Sequence, residues 1–391
     1  MENEIQKRVK DCIRGSLMAG AAGDALGYPV EFMSRKAIFS NYGDKGITQF
    51  KLDRNGKALV SDDTQMTLFT ANGMLTGLTR GCDPEKNIED AYVDWFFTQT
   101  GIKGDTSVCT WLRDLPEMAH RRAPGTTCMS ACESLIMHEK PHNNSKGCGG
   151  IMRVAPVGLL DAAYRAKEGD GLFATDRLAE AGAFIAKATH LHPLGYMPAA
   201  LVTLLLSRLV PLTPQEANAS IVGMVEEALD VIMRMEGNAH AADKKYLGDL
   251  TKKAIQLAQS DVTDESAIRQ LGEGWVAEES WAISLFCAVR HIDSLKDAII
   301  AAVNHDGDSD STGSMTGNIM GAIYGYESVK QERLFCPAGK EFEDTIELSN
   351  IILALADDLC SGCVVKEDDP IDTPEKKQWY ARYCEMKPEG I

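Results

Sequence analysis

The sequence predicts a single all-α domain, and three observations carry that expectation. Period-3.6 patterning fills the chain. Period-2 alternation is confined to "ITQFKL" (47–52), the one expected strand. No Ser/Pro/Gly-rich linker and no repeat of solenoid length divides the 391 residues. A chain of this length can bury a large core.

In chain order, the first expected helix, 11–26, carries Gly15, Ala19, Gly23 and Gly27 at four-residue spacing. The next, 63–79, opens behind Ser61, a residue type that caps helix N-termini, with Asp62 and Asp63 at its start. Helices at 86–98 and 126–137 follow; Cys128 and Cys132 stand one turn apart in the second. The segments "RRAPG" and "HEKPHNNSKG" around it are loops by their Gly, Pro and Asn content. Helices are then expected at 176–190, 195–208, 214–235, 240–258, 277–290, 295–303, 311–326 and 342–359. The helix at 311–326 repeats the small-residue pattern with Gly313, Gly317, Gly321 and Gly325. A helix-interior glycine costs about 1 kcal/mol against alanine, so two such stripes call for a reason. Close helix–helix approach supplies one. The two helices are expected to pack tightly, joining the ends of the chain and bringing Asp24 near Asp308 and Asp310. Residues 1–365 are read as the domain. Residues 366–391 are read as a charged tail packed on the surface through Trp379 and Tyr380.

The formal net charge is −17, and no basic excess is available to neutralise phosphates, which argues against nucleic acid and anionic membranes as partners. No charge-free apolar run is long enough to span a membrane, and the N-terminus lacks a convincing signal peptide. The 11 cysteines have no framework spacing, so reduced core thiols in a cytoplasmic protein are expected. "CSGC" (360–363) is a lone CxxC without a second pair, and it is read as chance rather than as a zinc or redox motif.

Chemistry concentrates in two acidic clusters. "HDGDSDSTG" crowds Asp306, Asp308 and Asp310 into five positions, where like charges repel unless a cation is present. A solvated loop and a metal site both accommodate this pattern. An EF-hand does not, because with Asp306 at position one, position six is Ser311 rather than Gly and position twelve is Gly317 rather than Glu. "SDDTQMTL" (61–68) taken alone is a capped surface helix. Taken together, Ser61, Asp62 and Asp63 offer one set of hard oxygen ligands and Asp308, Asp310 and Ser311 another. A pair of Mg²⁺ or Mn²⁺ ions would use both.

Six segments in order complete the pattern: "GSLMAGAAGDALGYPVEF" (15–32), "SDDTQMTL" (61–68), "RAPGTTCMSA" (122–131), "SKGCGGIMRVAPVGLL" (145–160), "THLHPLGY" (189–196) and "HDGDSDSTGSMTGNIMGAIYG" (305–325). In this the sequence resembles the ADP-ribosylglycohydrolase family, whose founding bacterial member reactivates dinitrogenase reductase. The resemblance implies a single compact orthogonal helical domain, two Mg²⁺ or Mn²⁺ ions, and hydrolysis of the bond between C1″ of ADP-ribose and an acceptor. It assigns metal binding to Ser61, Asp62, Asp63, Asp308, Asp310 and Ser311. Glu31 becomes the general base or a gate for the metals, with Asp62 and Asp310 beside it as catalytic residues. The ligand pocket would comprise Gly125, Thr126, Ser145, Lys146, Gly147, Cys148, Gly149 and His190, with small residues exposing backbone N–H groups to a pyrophosphate. Arg153 is expected inside a helix after the glycines, as a buried structural arginine. Asp306 falls just outside the match. Arginine-specific relatives carry an Asp-Ile-Gly element where this chain reads "WFFTQTGIKGDTS" (95–107), and Asp105 is the nearest substitute. The expected partners are an ADP-ribosylated protein, arginine-modified by preference, and the product ADP-ribose. A hydrolase of small-molecule or nucleic-acid conjugates, and an inactive crystallin-like binding protein, stay open.

Overall fold

A computed structural model describes residues 4–102 and 108–387. Its helices in order are α1 (Glu4–Gly27), α2 (Arg35–Tyr42), α3 (Asp62–Thr79), α4 (Ile88–Thr100), α5 (Thr126–Ile136), α6 (Ala155–Glu168), α7 (Thr175–Lys187), α8 (Pro193–Leu209) and α9 (Pro214–Arg234). They continue as α10 (Ala241–Ala258), α11 (Asp264–Leu271), α12 (Ala277–Arg290), α13 (Leu295–Val303), α14 (Ser309–Tyr324), α15 (Tyr326–Gln331), α16 (Phe342–Thr345), α17 (Ser349–Ser361) and α18 (Pro374–Tyr383). They form one all-α domain, and among the described residues none is long and apolar enough to cross a membrane.

The antiparallel packing of α1 on α14 organises the molecule, as the two small-residue stripes required. A Cβ built on Gly23 would lie 2.0 Å from the Gly313 carbonyl oxygen, and one on Gly321 would lie 2.1 Å from that of Gly15. At Gly317 it would lie 2.1 Å from the Ala19 oxygen, and at Gly27 2.3 Å from that of Ser309. No side chain fits at these four glycines. The Ser16 hydroxyl donates to the Asn318 carbonyl across it at 2.9 Å. Gly325 falls outside the helix proper: it ends α14 with φ +81° and lets the chain turn into α15.

The structure corrects several expectations. Residues 47–52 form no strand; only isolated bridges join Leu52 to Ala58 and Ala58 to Ile346. The alternation there marks two loop anchors, since Ile47 and Phe50 are buried while their N–H groups donate to Asn304 Oδ1 and the Phe335 carbonyl. The helix expected at 342–359 is broken between Thr345 and Ser349. There Ile346 is extended, Leu348 has φ +61°, and the segment pairs with Ala58 through Ala58 N–H to Thr345 O and Glu347 N–H to Ala58 O. Helices α2, α11, α15 and α18 were not expected, and the helix expected after the glycines is α6, which starts only at Ala155. Arg153 lies in the turn before α6, not in a helix, but it is fully buried as expected. In α18 the buried aromatics are Trp379 and Tyr383, whereas Tyr380 is only partly covered. Trp379 donates to Thr79 Oγ1, and Tyr383 with Arg382 binds Asp358. No disulfide joins the described cysteines, Cys360 and Cys363 included.

The seam makes opposite demands on different glycines. Gly317→Ala is expected to destabilise by roughly 1–3 kcal/mol through overpacking, despite the helix-propensity gain of about 1 kcal/mol. Gly223→Ala in α9 and Gly248→Ala in α10, where an added Cβ meets nothing within 4 Å, should stabilise by up to about 1 kcal/mol. Urea denaturation of the three variants checks the difference in sign.

Candidate active site

The seam delivers the last turn of α1 to the start of α3. Asp24 is completely buried and accepts from the backbone N–H of Ser61 (2.9 Å) and of Thr64 (3.1 Å), and from the Thr64 hydroxyl. A carboxylate of one helix thus caps another, satisfying donors that a helix start leaves open. Ser61 caps the same helix in the ordinary way, its Oγ accepting from Asp63 N–H at 3.2 Å. Asp62 and Asp63 are therefore not on a surface helix but buried in its first turn. Asp62 Oδ2 accepts from Gly125 N–H at 3.2 Å, and its own N–H donates to the Arg122 carbonyl, which docks the "RAPG" segment here. Glu347, in the break between α16 and α17, takes Arg122 at 2.5 Å and the Val60 N–H at 3.1 Å, steadying the approach to α3.

The other acidic set belongs to α14. Asp308 is its N-cap, Oδ1 accepting from Ser311 N–H, while Oδ2 accepts from the Cys148 thiol at 2.7 Å. Asp310 and Ser311 are buried in the first turn. Just after α1, a short helical turn (Tyr28–Val30) ends at Glu31. One carboxylate oxygen from each of Glu31, Asp308 and Asp310 lies within 4.8 Å of the others. Ser311 lines the same cavity as Asp62 and Asp63, so the two sets meet there. Asp306 has a separate task, accepting the Arg35 N–H at 2.8 Å where α2 begins.

Burial and mutual repulsion hold Asp24, Glu31, Asp62, Asp63 and Asp310 toward the protonated form. Glu31 is raised to about 8 by burial, then by Asp308, Asp62 and Asp24. Asp62 is raised to about 8 and Asp24 to about 6, both chiefly by burial. Asp63 and Asp310 are pushed well above the carboxylate range by burial and neighbouring carboxylates. Asp63 Oδ1 and Glu31 Oε2 are buried without a hydrogen-bond partner. Buried polar atoms are rarely left so, and a divalent cation fits both the missing partners and the all-oxygen donor set.

A cavity of about 370 Å³ joins the acids to the glycine segment. Its walls include Glu31, Asp62, Asp63, Asp308, Asp310 and Ser311 on one side, and Gly125, Thr126, Gly147, Cys148, Gly149 and His190 on the other. Gly125 caps α5 with no side-chain hydrogen bond, so the first N–H groups of that helix remain available at the cavity. Burial, then Arg153, pushes His190 down to about 3. Three of the expected site residues stand back from the cavity wall. Ser61 is engaged as a cap. Ser145 shapes the glycine turn by accepting from Gly147 N–H. Lys146 pairs with Glu278 and lines a neighbouring groove of about 760 Å³. Asp105 lies outside the described residues.

Sequence reasoning missed Asp24 as the cap of α3, although its place at the end of the glycine stripe was a usable signal. It also missed Phe32 and Trp275, which line the cavity and stack with ring centroids 5.6 Å apart and planes 15° apart. Trp275 sits in the loop before α12, where no periodicity marks it.

The family model described as ADP-ribosylglycohydrolase matches residues 5–368. ADP-ribosylhydrolase ARH3 of Bos taurus is 27% identical over 240 residues, covering 56% of this chain and 61% of its own length. The chain thus spans less than two thirds of the first curated relatives it matches. ADP-ribosyl-[dinitrogen reductase] glycohydrolase of Rhodospirillum rubrum is 24% identical over 322 residues, 82% of this chain and 88% of that protein. A solved structure titled ADP-ribosylglycohydrolase-related protein complex superposes with a TM-score of 0.60 over 92% of this chain and 100% of its own, at 21% identity, and so shares the fold.

A raised carboxyl pKa in the folded state means that the fold favours the proton. That stability is complete below the unfolded values near 4 and is lost as pH rises through the folded values near 8. In chelator, the melting temperature should therefore fall between about pH 4 and pH 8 beyond what the remaining groups cause. Mg²⁺ or Mn²⁺ should recover the loss at pH 8, and Asp62→Asn should flatten part of the slope. Thermal scans across that range, with and without metal, test it.

Proposed function

The chain belongs to the ADP-ribosylglycohydrolase family, and we propose that it is a metal-dependent hydrolase that removes ADP-ribose from a modified acceptor. The preferred acceptors are mono-ADP-ribosylated protein side chains, with arginine favoured. The observation that carries this reading is the convergence of two buried acidic sets, with unpartnered oxygens on Asp63 and Glu31, at one cavity that also has a donor-rich wall.

Asp62, Asp63, Asp308, Asp310 and Ser311 would hold the divalent cations, two Mg²⁺ or Mn²⁺, with Ser61 joining if its hydroxyl leaves its capping role. When bound, the cations supply Lewis acidity toward the sugar hydroxyls and lower the pKa of water. The opposite wall binds the diphosphate through the open N–H groups at the start of α5 and through the backbone of Gly147 to Gly149. His190 adds a neutral donor. Held between these ends, the distal ribose presents C1″ toward Glu31. Glu31 accepts a proton from the attacking water as positive charge grows on the sugar ring, and the acceptor departs with a proton drawn from solvent. Phe32 and Trp275, stacked on each other, flank this space.

A protein acceptor is supported by the Rhodospirillum rubrum relative, whose name gives dinitrogen reductase as what it acts on and whose length is almost wholly matched. Incubation with arginine-, serine- and thymidine-linked ADP-ribose, with and without Mg²⁺, separates protein acceptors from nucleic-acid ones. Asp62→Asn and Asp310→Asn keep the shape of the site and remove charge; each is expected to reduce hydrolysis by roughly 100-fold or more with circular dichroism unchanged. Both variants working at the wild-type rate would overturn the reading.

A further inference from the structure

The turn between the glycine segment and α6 contains an unusual charge. Arg153 is fully buried, yet among the described residues it has no carboxylate partner. Its guanidinium lies 4.0 Å over the Tyr92 ring, and Nη1 approaches Met66 Sδ and Cys128 Sγ. Nη2 donates to the Ile185 carbonyl at 3.1 Å and to Thr189 Oγ1 at 2.6 Å. Thr189 Oγ1 in turn stands 2.8 Å from His190 Nδ1.

The direction of these bonds follows from donor arithmetic. A guanidinium only donates, so Thr189 Oγ1 accepts from it. The hydroxyl has one proton of its own, and among its neighbours are the Ala186 carbonyl at 3.5 Å, the Cys128 sulfur, a weak acceptor, and His190 Nδ1 at 2.8 Å. The first is at the limit of a hydrogen bond and the last near the optimum for a hydroxyl donor. The opposite tautomer would push an Nδ1–H into an oxygen already loaded by a cationic donor and leave the hydroxyl proton with the long contact or the sulfur. Nδ1 is therefore the acceptor, and the ring proton sits on Nε2. That edge lies against the glycine segment: a Cβ built on Gly147 would be 3.3 Å from Nε2, and one on Gly149 3.1 Å from Cε1. His190 is part of the cavity wall.

We infer that Arg153 and Thr189 are positioning residues that lock His190 as its Nε2–H tautomer, turning it into an obligate single donor toward the diphosphate of a ligand in the cavity. The inference rests on the proposed reading of the cavity as an ADP-ribose site. The lock explains why a cation is buried here without a counter-charge. Its field favours an anion in the cavity, and its proton sets the polarity of the Thr189–His190 pair. The low pKa of His190 is consistent with this, since the ring then acts by direction rather than by charge.

Side-chain ¹⁵N NMR reads the tautomer without any ligand. His190 in the wild type should show a protonated Nε2 and an unprotonated Nδ1. Thr189→Ser keeps the hydroxyl and should retain both the tautomer and the affinity for ADP-ribose. Thr189→Val, of similar volume, should release the tautomer preference and weaken ADP-ribose binding by roughly 3- to 10-fold, the worth of one hydrogen bond. A merely structural Thr189 would leave the His190 nitrogen shifts unmoved. A wild-type Nδ1–H tautomer, or a valine variant that keeps both tautomer and affinity, would overturn the lock. Failure of the wild type to bind ADP-ribose would overturn the cavity assignment and the purpose given to the lock, and the ligand-free spectrum distinguishes that failure from failure of the lock itself.

Discussion

Everything at the site depends on how closely α1 can approach α14. With side chains between them, the two backbones would stand 8–10 Å apart, as ordinary helices do. The Gly15/Gly321, Gly23/Gly313 and Ala19/Gly317 contacts leave no room for that spacing. Because the two helices are antiparallel, the seam brings the C-terminal end of α1 beside the N-terminal end of α14. Asp24 then reaches across to cap α3, and Asp308 caps α14 itself. Two helix starts and one helix end meet at a single point, so two carboxylate-bearing first turns face one cavity. A looser seam would leave each acidic set as the solvated helix cap that its local sequence resembles.

The resulting cavity has two chemically opposite sides. The acidic side is electrostatically frustrated: burial and repulsion raise Glu31, Asp62, Asp63 and Asp310 together, and two carboxylate oxygens have no partner. The other part of the lining supplies donors, with the start of α5, the glycine segment, His190 and the buried Arg153 behind it, and it meets the acids where Gly125 N–H serves Asp62 and the Cys148 thiol serves Asp308. A cation suits the first side and an anion the second. A ligand with a sugar diol at one end and a diphosphate a few bonds away suits both at once, a stricter requirement than either side makes alone.

The sequence made legible what depends on local spacing. Four-residue recurrence of small residues exposed the seam, and Ser61-Asp62-Asp63 with Asp308-x-Asp310-Ser311 exposed the acids. Helix periodicity located most of the long elements. What stayed hidden depends on tertiary partners. The apparent strand at 47–52 was two buried anchors, Ile47 and Phe50, whose backbone groups find unrelated loops. The helix expected at 342–359 breaks because residues 345–347 are drawn aside to pair with Ala58 and to set Glu347 against Arg122. Lys146, one residue from the glycines, turns to Glu278 and the neighbouring groove, which spacing alone does not reveal. Trp275 reaches the cavity from a loop that carries no periodic signal.

The separation of the acidic sets along the chain has a thermodynamic consequence. An EF-hand gathers its ligands within one short loop, so a local segment already holds much of the site. Here Asp62 and Asp63 lie near the start of the chain and Asp308 and Asp310 near its end, and only the packed α1–α14 seam brings them together. The unfolded chain therefore offers no comparable site, and the proposed cation binding would be coupled to the global fold. A cation bound there would add to the stability of the folded form, while the unneutralised acids subtract from it. The same frustration that lowers stability at neutral pH would strengthen cation binding by the folded state, because neutralising charges that are already buried relieves their repulsion. Charge crowding at the site and close packing of the seam are thus complementary parts of one design. The glycines of the seam leave no room for side chains at the closest contacts, and that close approach holds together a cluster of carboxylates that would otherwise move apart.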